Sequence, residues 1–185
     1  SRAFRVSPDI ADAVAYVENQ NESEGAQEAV YRFKVYDAEN ILISEKVGKT
    51  FIAPGEIFAV FLGGIRTGER EPKRVFFEFE PDMRFERVQR TDAPVVAGEH
   101  ILENPDSEPR LTAVLKNKTP FSVYDVEVVA ILYTGDNAVA ASETYVKEIA
   151  GNKKERVVFT WPLPLDHVIT RIEIIPRVRD TMGTR

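Results

Sequence analysis

The chain writes nearly the same phrase twice, FFEFEP at residues 76–81 and RIEIIP at 171–176. Further pairs in the same order surround that echo. SPD (7–9) meets NPD (104–106), and AYVENQN (15–21) meets AVLKNKT (113–119). Tyr36 and the following AEN meet Tyr133 and GDN, and TFIAPGE (50–56) meets KEIAGNK (147–153). The offsets run 97 or 98, then 97, then 95. Self-similarity of this length marks a repeated domain rather than a solenoid unit, because a segment of about 90 residues can bury a core of its own.

Inside each copy the hydrophobic period is two, the signature of strands with one buried face. Phe77 and Phe79, like Ile172 and Ile174, are expected inward, with Glu78 and Glu173 toward water. YRFKVYD and VEVVAILY are rich in β-branched and aromatic residues and end at the turn signals DAEN and TGDN. Pro54-Gly55 and Gly151-Asn152 mark further turns. Turns at this spacing, without a convincing helix, predict an all-β chain: two tandem immunoglobulin-like antiparallel β-sandwiches related by internal duplication, over residues 1–90 and 91–185. VVAGEH (95–100) has no counterpart before Phe4, so the first strand reads as truncated and the chain as a piece of a longer protein. RFERVQR (84–90) is expected to complete a last strand, and TDAPV to form a short, stiff linker.

Charge excludes one class of partner. Each half carries a net −3, 13 Lys/Arg against 16 Asp/Glu through residue 90 and 11 against 14 beyond it, so neither has the basic footprint of a nucleic-acid binder. The absence of cysteine excludes thiol nucleophiles, disulfides and cysteine zinc sites. No apolar run approaches the roughly 18 residues that span a bilayer, so no direct membrane insertion by this fragment is expected.

The second copy resembles the FxLYD-type immunoglobulin-like domains of bacterial envelope-anchored proteins. Phe121, Tyr124 and Asp125 stand at the named positions, with Val123 where the motif has Leu. The first copy reads SEGAQEAVYR there and joins the resemblance only through the repeat. The resemblance implies an extracytoplasmic or cell-surface location behind an N-terminal helix absent from this chain. It brings no catalytic residues.

Nor do the residues themselves suggest catalysis or a cofactor. His100, read onto a first strand, and His167, beside Asp166 in a loop, occupy unmatched positions and make a poor dyad and a poor zinc pair. Asp37, Glu39 and Asn40, recurring as Asp136 and Asn137, could serve calcium or merely turn geometry, as could the acidic group Glu18, Glu22, Glu24 and Glu28. The glycine-rich segment GGIRTGEREPKR is the candidate partner-binding loop, through Arg66, Arg70, Lys73 and Arg74 with Phe76 beside them. Trp161 is a candidate ligand platform or a core residue. The expected function is a non-enzymatic structural or protein-interaction module that engages other envelope proteins or surface components. The alternative is a carbohydrate-binding or adhesive module that stacks a sugar on Trp161 or Phe76.

Overall fold

The computed structural model describes residues 1–88 and 93–179. The chain divides into two compact units, with 1–88 in the first and 93–179 in the second. Unit 1 contains β1 (Arg2–Ser7), β2 (Ile10–Glu18), β3 (Glu24–Tyr36), β4 (Leu42–Ile52), β5 (Ile57–Arg66), β6 (Arg74–Phe79) and β7 (Glu86–Arg87). Unit 2 contains β8 (Val95–Glu103), β9 (Arg110–Asn117), β10 (Val123–Thr134), β11 (Asn137–Ile149), β12 (Lys154–Thr160) and β13 (Arg171–Arg177).

Each unit is an antiparallel β-sandwich. In unit 1, β1-β2-β5 faces β4-β3-β6 across a core, with β7 added along β3; in unit 2, β8-β9-β12 faces β11-β10-β13. Strand for strand, the two orders are the same. Residues with positive φ make the hairpins possible: Asn40 turns β3 into β4, and Gly135 turns β10 into β11.

The two cores are filled by different side chains at corresponding strands. Unit 1 places Ala13 and Ala15 on β2 and fills the space from the other sheet with Phe33, Phe77 and Phe79. The rings of Phe33 and Phe77 meet edge-on at 4.9 Å, and those of Phe77 and Phe79 at 5.0 Å. Unit 2 instead has Leu111 and Leu115 on β9, where β2 carries the two alanines, with Phe159 on β12 and Val128 and Ala130 on β10. Large residues opposite small ones keep total volume near what close packing requires.

Strand pairing corrects the register of the echo. Tyr36 faces Arg74 and Tyr133 faces Arg171, while the N–H groups of Lys73 and Thr170 donate to Tyr36 O and Tyr133 O, each at 2.8 Å. The last strands therefore correspond at an offset of 97, which matches Phe76 to Glu173 rather than to Arg171. A two-residue slip leaves the side-chain alternation intact. Phe77, Phe79, Ile172 and Ile174 accordingly all pack against their cores.

The segment after Pro81 also differs from expectation. β6 ends at Phe79, a turn follows, and β7 pairs instead with Glu24 and Gly25 at the start of β3. The expected linker falls largely on residues 89–92, which lie outside the described residues.

Candidate functional site

The basic loop between β5 and β6 is tied down by its own cations. Arg70 pairs with Asp37, a carboxylate only 4% exposed whose Oδ1 also accepts the N–H groups of Ile41 at 2.8 Å and Glu39 at 3.1 Å. Desolvation pushes the Asp37 carboxyl upward, but the Ile41 N–H, the Arg70 guanidinium and the Glu39 N–H outweigh it and hold the group below its ordinary range. Lys73 pairs with Glu71 at 2.7 Å, and Arg74 donates to Asn40 Oδ1 at 2.6 Å. Through Arg70 and Arg74 the candidate partner-binding loop is thus fastened to the β3–β4 hairpin. Arg66 is exposed at the end of β5. Phe76 is 55% exposed with its ring edge-on to Tyr36 at 5.6 Å, leaving one face open.

Contacts of this kind also engage three of the calcium candidates. Asp37 is engaged as described, Glu24 accepts Asn21 Nδ2 at 2.9 Å, and Glu28 pairs with Lys49 at 2.8 Å. Among the described residues no group of three or more His, Cys, Asp or Glu side chains could hold a metal ion.

Trp161 is a core residue. It is 7% exposed, packs into the unit 2 cluster and donates its indole N–H to Ala141 O at 3.0 Å on the opposite sheet. A ring so enclosed has no face on which a sugar could stack. His100 is exposed on β8. His167 lines an open groove of about 550 Å³ at the end of unit 2, together with Asp106, Asp166, Pro105, Leu165 and Ile169.

The most constrained polar geometry lies at a corner that both units build alike. In unit 2, Asn117 is fully buried and its side-chain amide donates to the carbonyls of Phe121 (2.7 Å), Ile149 (2.9 Å) and Ala150 (3.2 Å). Its Oδ1 accepts the Thr119 N–H and hydroxyl, each at 2.9 Å. In unit 1, Asn19 donates to Glu24 O and Ala53 O, both at 2.9 Å, and accepts from Asn21 N–H at 3.1 Å. The backbone repeats the pattern. Asn19 N bonds Glu56 O and Gly55 N bonds Asn21 O, as Asn117 N bonds Lys153 O and Asn152 N bonds Thr119 O. Gly55 and Asn152 both take φ near 58°, a conformation that Gly and Asn tolerate best.

This corner sets the course of the segment FSVYD. Val123 enters the core, but Tyr124 and Asp125 both face outward before Val126 turns in again. The φ of +54° at Asp125 breaks the alternation. Phe121 is 76% exposed, Tyr124 50% and, on β11, Tyr145 56%. Tyr145 donates its hydroxyl to Asp125 Oδ1, a bond that together with desolvation holds the phenol above its ordinary pKa. Unit 1 builds the same place from polar side chains. Glu24 occupies the position of Phe121, Gln27 that of Tyr124, and the Glu28–Lys49 ion pair that of Asp125 with Tyr145.

No family model and no curated protein matches the chain. Among solved structures, it is similar to a GH2 beta-galacturonidase from Eisenbergiella tayi bound to galacturonate, at 13% identity and a TM-score of 0.29. The match covers 84% of this chain and 30% of that one, so the chain spans under a third of that enzyme's length. The sandwich assignment rests on the strand topology and cores, not on this likeness. No helix among the described residues is long and apolar enough to cross a membrane.

Proposed function

We propose that the two units are copies of one immunoglobulin-like sandwich and that the chain is a non-enzymatic structural and protein-interaction module. The observation that carries this reading is the corner that each unit builds around one asparagine, Asn19 in unit 1 and Asn117 in unit 2, with the Asp37–Arg70 anchor holding the far end of β3 in unit 1. The best-ordered polar groups bond backbone and neighbouring side chains, and so hold loops in place. Rigid scaffolds that display side chains on loops and strand ends are suited to recognition. The FxLYD resemblance at Phe121, Tyr124 and Asp125 supports placing the module outside the cytoplasm, in a membrane-anchored envelope protein.

Immobilised chain offered an envelope extract and a glycan array tests the reading. Saturable retention of protein with a silent array is expected. Saturable glycan binding would instead establish the carbohydrate-binding alternative, for which Phe76 is the surviving candidate of the two aromatic residues considered.

A further inference from the structure

We propose that Phe121, Tyr124 and Tyr145 form a docking surface on unit 2 for a protein segment combining cationic and apolar side chains. The inference rests on the reading of the chain as an interaction module. Unit 1 supplies the internal comparison, since it folds the same corner with Glu24, Gln27 and Lys49 at these positions. The scaffold therefore does not require aromatic residues there. Unit 2 nevertheless carries three, each at least half exposed, where polar groups would keep the surface better solvated.

The Phe121 backbone and the Tyr145 ring are also held in place, which lowers the entropy lost on binding. Asn117 Nδ2 donates to Phe121 O at 2.7 Å. Tyr145 is fixed through Asp125. Tyr and Phe are among the residue types enriched at protein interfaces.

Charge selects the partner. Glu148 lies across from Tyr124, Glu127 across from Tyr145, and Glu143 two residues further along β11, with Asp125 between the tyrosines. Lys118 and Lys153 flank the corner beside Phe121, whereas on the strand face that carries Tyr124 and Tyr145 the exposed cation is Lys147, Arg177 opposite Glu127 being buried, so that face is acidic on balance. Burial and the charge of Glu127 both raise the Glu143 carboxyl above its ordinary pKa, a conflict that an incoming cation would relieve. A Lys or Arg can meet these carboxylates while its neighbours cover the rings, and Arg can also stack on Tyr.

The test selects random peptides of about twelve residues on the intact chain and measures them against the triple variant Phe121→Glu, Tyr124→Gln, Tyr145→Lys. Those replacements are unit 1's own residues, so the corner is expected to fold, and melting confirms it. Enriched peptides should carry Lys or Arg beside Leu, Phe or Tyr, and lose on the order of tenfold or more in affinity for the variant. Enriched peptides that bind the variant equally, or that are acidic, overturn this surface while leaving an interaction module in place. Enrichment of nothing overturns both the surface and the interaction reading.

Discussion

The side-chain amide of Asn117 donates to the carbonyl of Ile149 at 2.9 Å, joining the end of β9 in one sheet to the end of β11 in the other. Replacing Asn117 with Ala would strand the buried Ile149 carbonyl and take a partner from the part-buried carbonyls of Phe121 and Ala150. A buried polar group left without its partner costs about 1–3 kcal/mol, and several are affected here. Asn117→Ala should therefore destabilise unit 2 by about 2–4 kcal/mol. The matching Asn19→Ala should cost less, because Asn19 is only partly buried. Denaturant melts of the two variants, compared with the parent, check the order.

Ile172 offers a test of strand register. It faces Leu132 on β10 and packs against the unit 2 core. Ile172→Asp would bring an unpaired carboxylate to that core, at a cost of roughly 3 kcal/mol. Unchanged thermal unfolding would contradict the inward placement.

The same strand shows how far sequence reaches. Alternation revealed which residues of β6 and β13 point inward, because a two-residue slip preserves parity. It could not reveal the slip itself, which required hydrogen bonds from Lys73 and Thr170 to equivalent tyrosines. Asn19 and Asn117 were visible as matched letters, each followed two positions later by a small polar residue, Asn21 or Thr119. That repeated spacing was the available signal for the buried corner. The outward turn of Tyr124 was hidden, since it depends on the left-handed backbone of Asp125, where an alternating pattern assigns one of the two side chains to the core. Trp161 packs into the core with the small Ala140 of the opposite sheet, and the Ala141 carbonyl accepts its indole N–H.

Arg70 and Arg66 should behave differently despite lying in one loop. Arg66→Ala is a surface change and should shift stability by no more than about 0.5 kcal/mol. Arg70→Ala removes the charged partner of the enclosed Asp37 and should lower the melting temperature distinctly more. The Asp37 carboxyl is depressed in the folded chain, so the stability it lends is present above its unfolded pKa and lost as pH falls through the folded value. The difference between Arg70→Ala and the parent should accordingly be full at neutral pH and shrink on acidification below the usual carboxylate range. Melts across that range that stay parallel would show that the ion pair contributes nothing.

Gly151 tests whether Phe121 is held as firmly as its docking role requires. A Cβ added at Gly151 would overlap the backbone of Pro120, in the loop that leads directly into Phe121. At the matching position of unit 1 stands Pro54, which carries a Cβ, so the corner itself does not demand glycine. What excludes a side chain in unit 2 is the close approach of the Thr119–Phe121 backbone, fastened there by Asn117. Gly151→Ala must push that backbone aside, with an overpacking cost of about 1–3 kcal/mol. Amide resonances of residues 117–124 should shift along with the melting temperature, since the displaced loop carries the Phe121 carbonyl away from the Asn117 amide. If Gly151→Ala melts like the parent and those resonances stay put, the loop yields freely, and Phe121 is not pre-positioned for a partner.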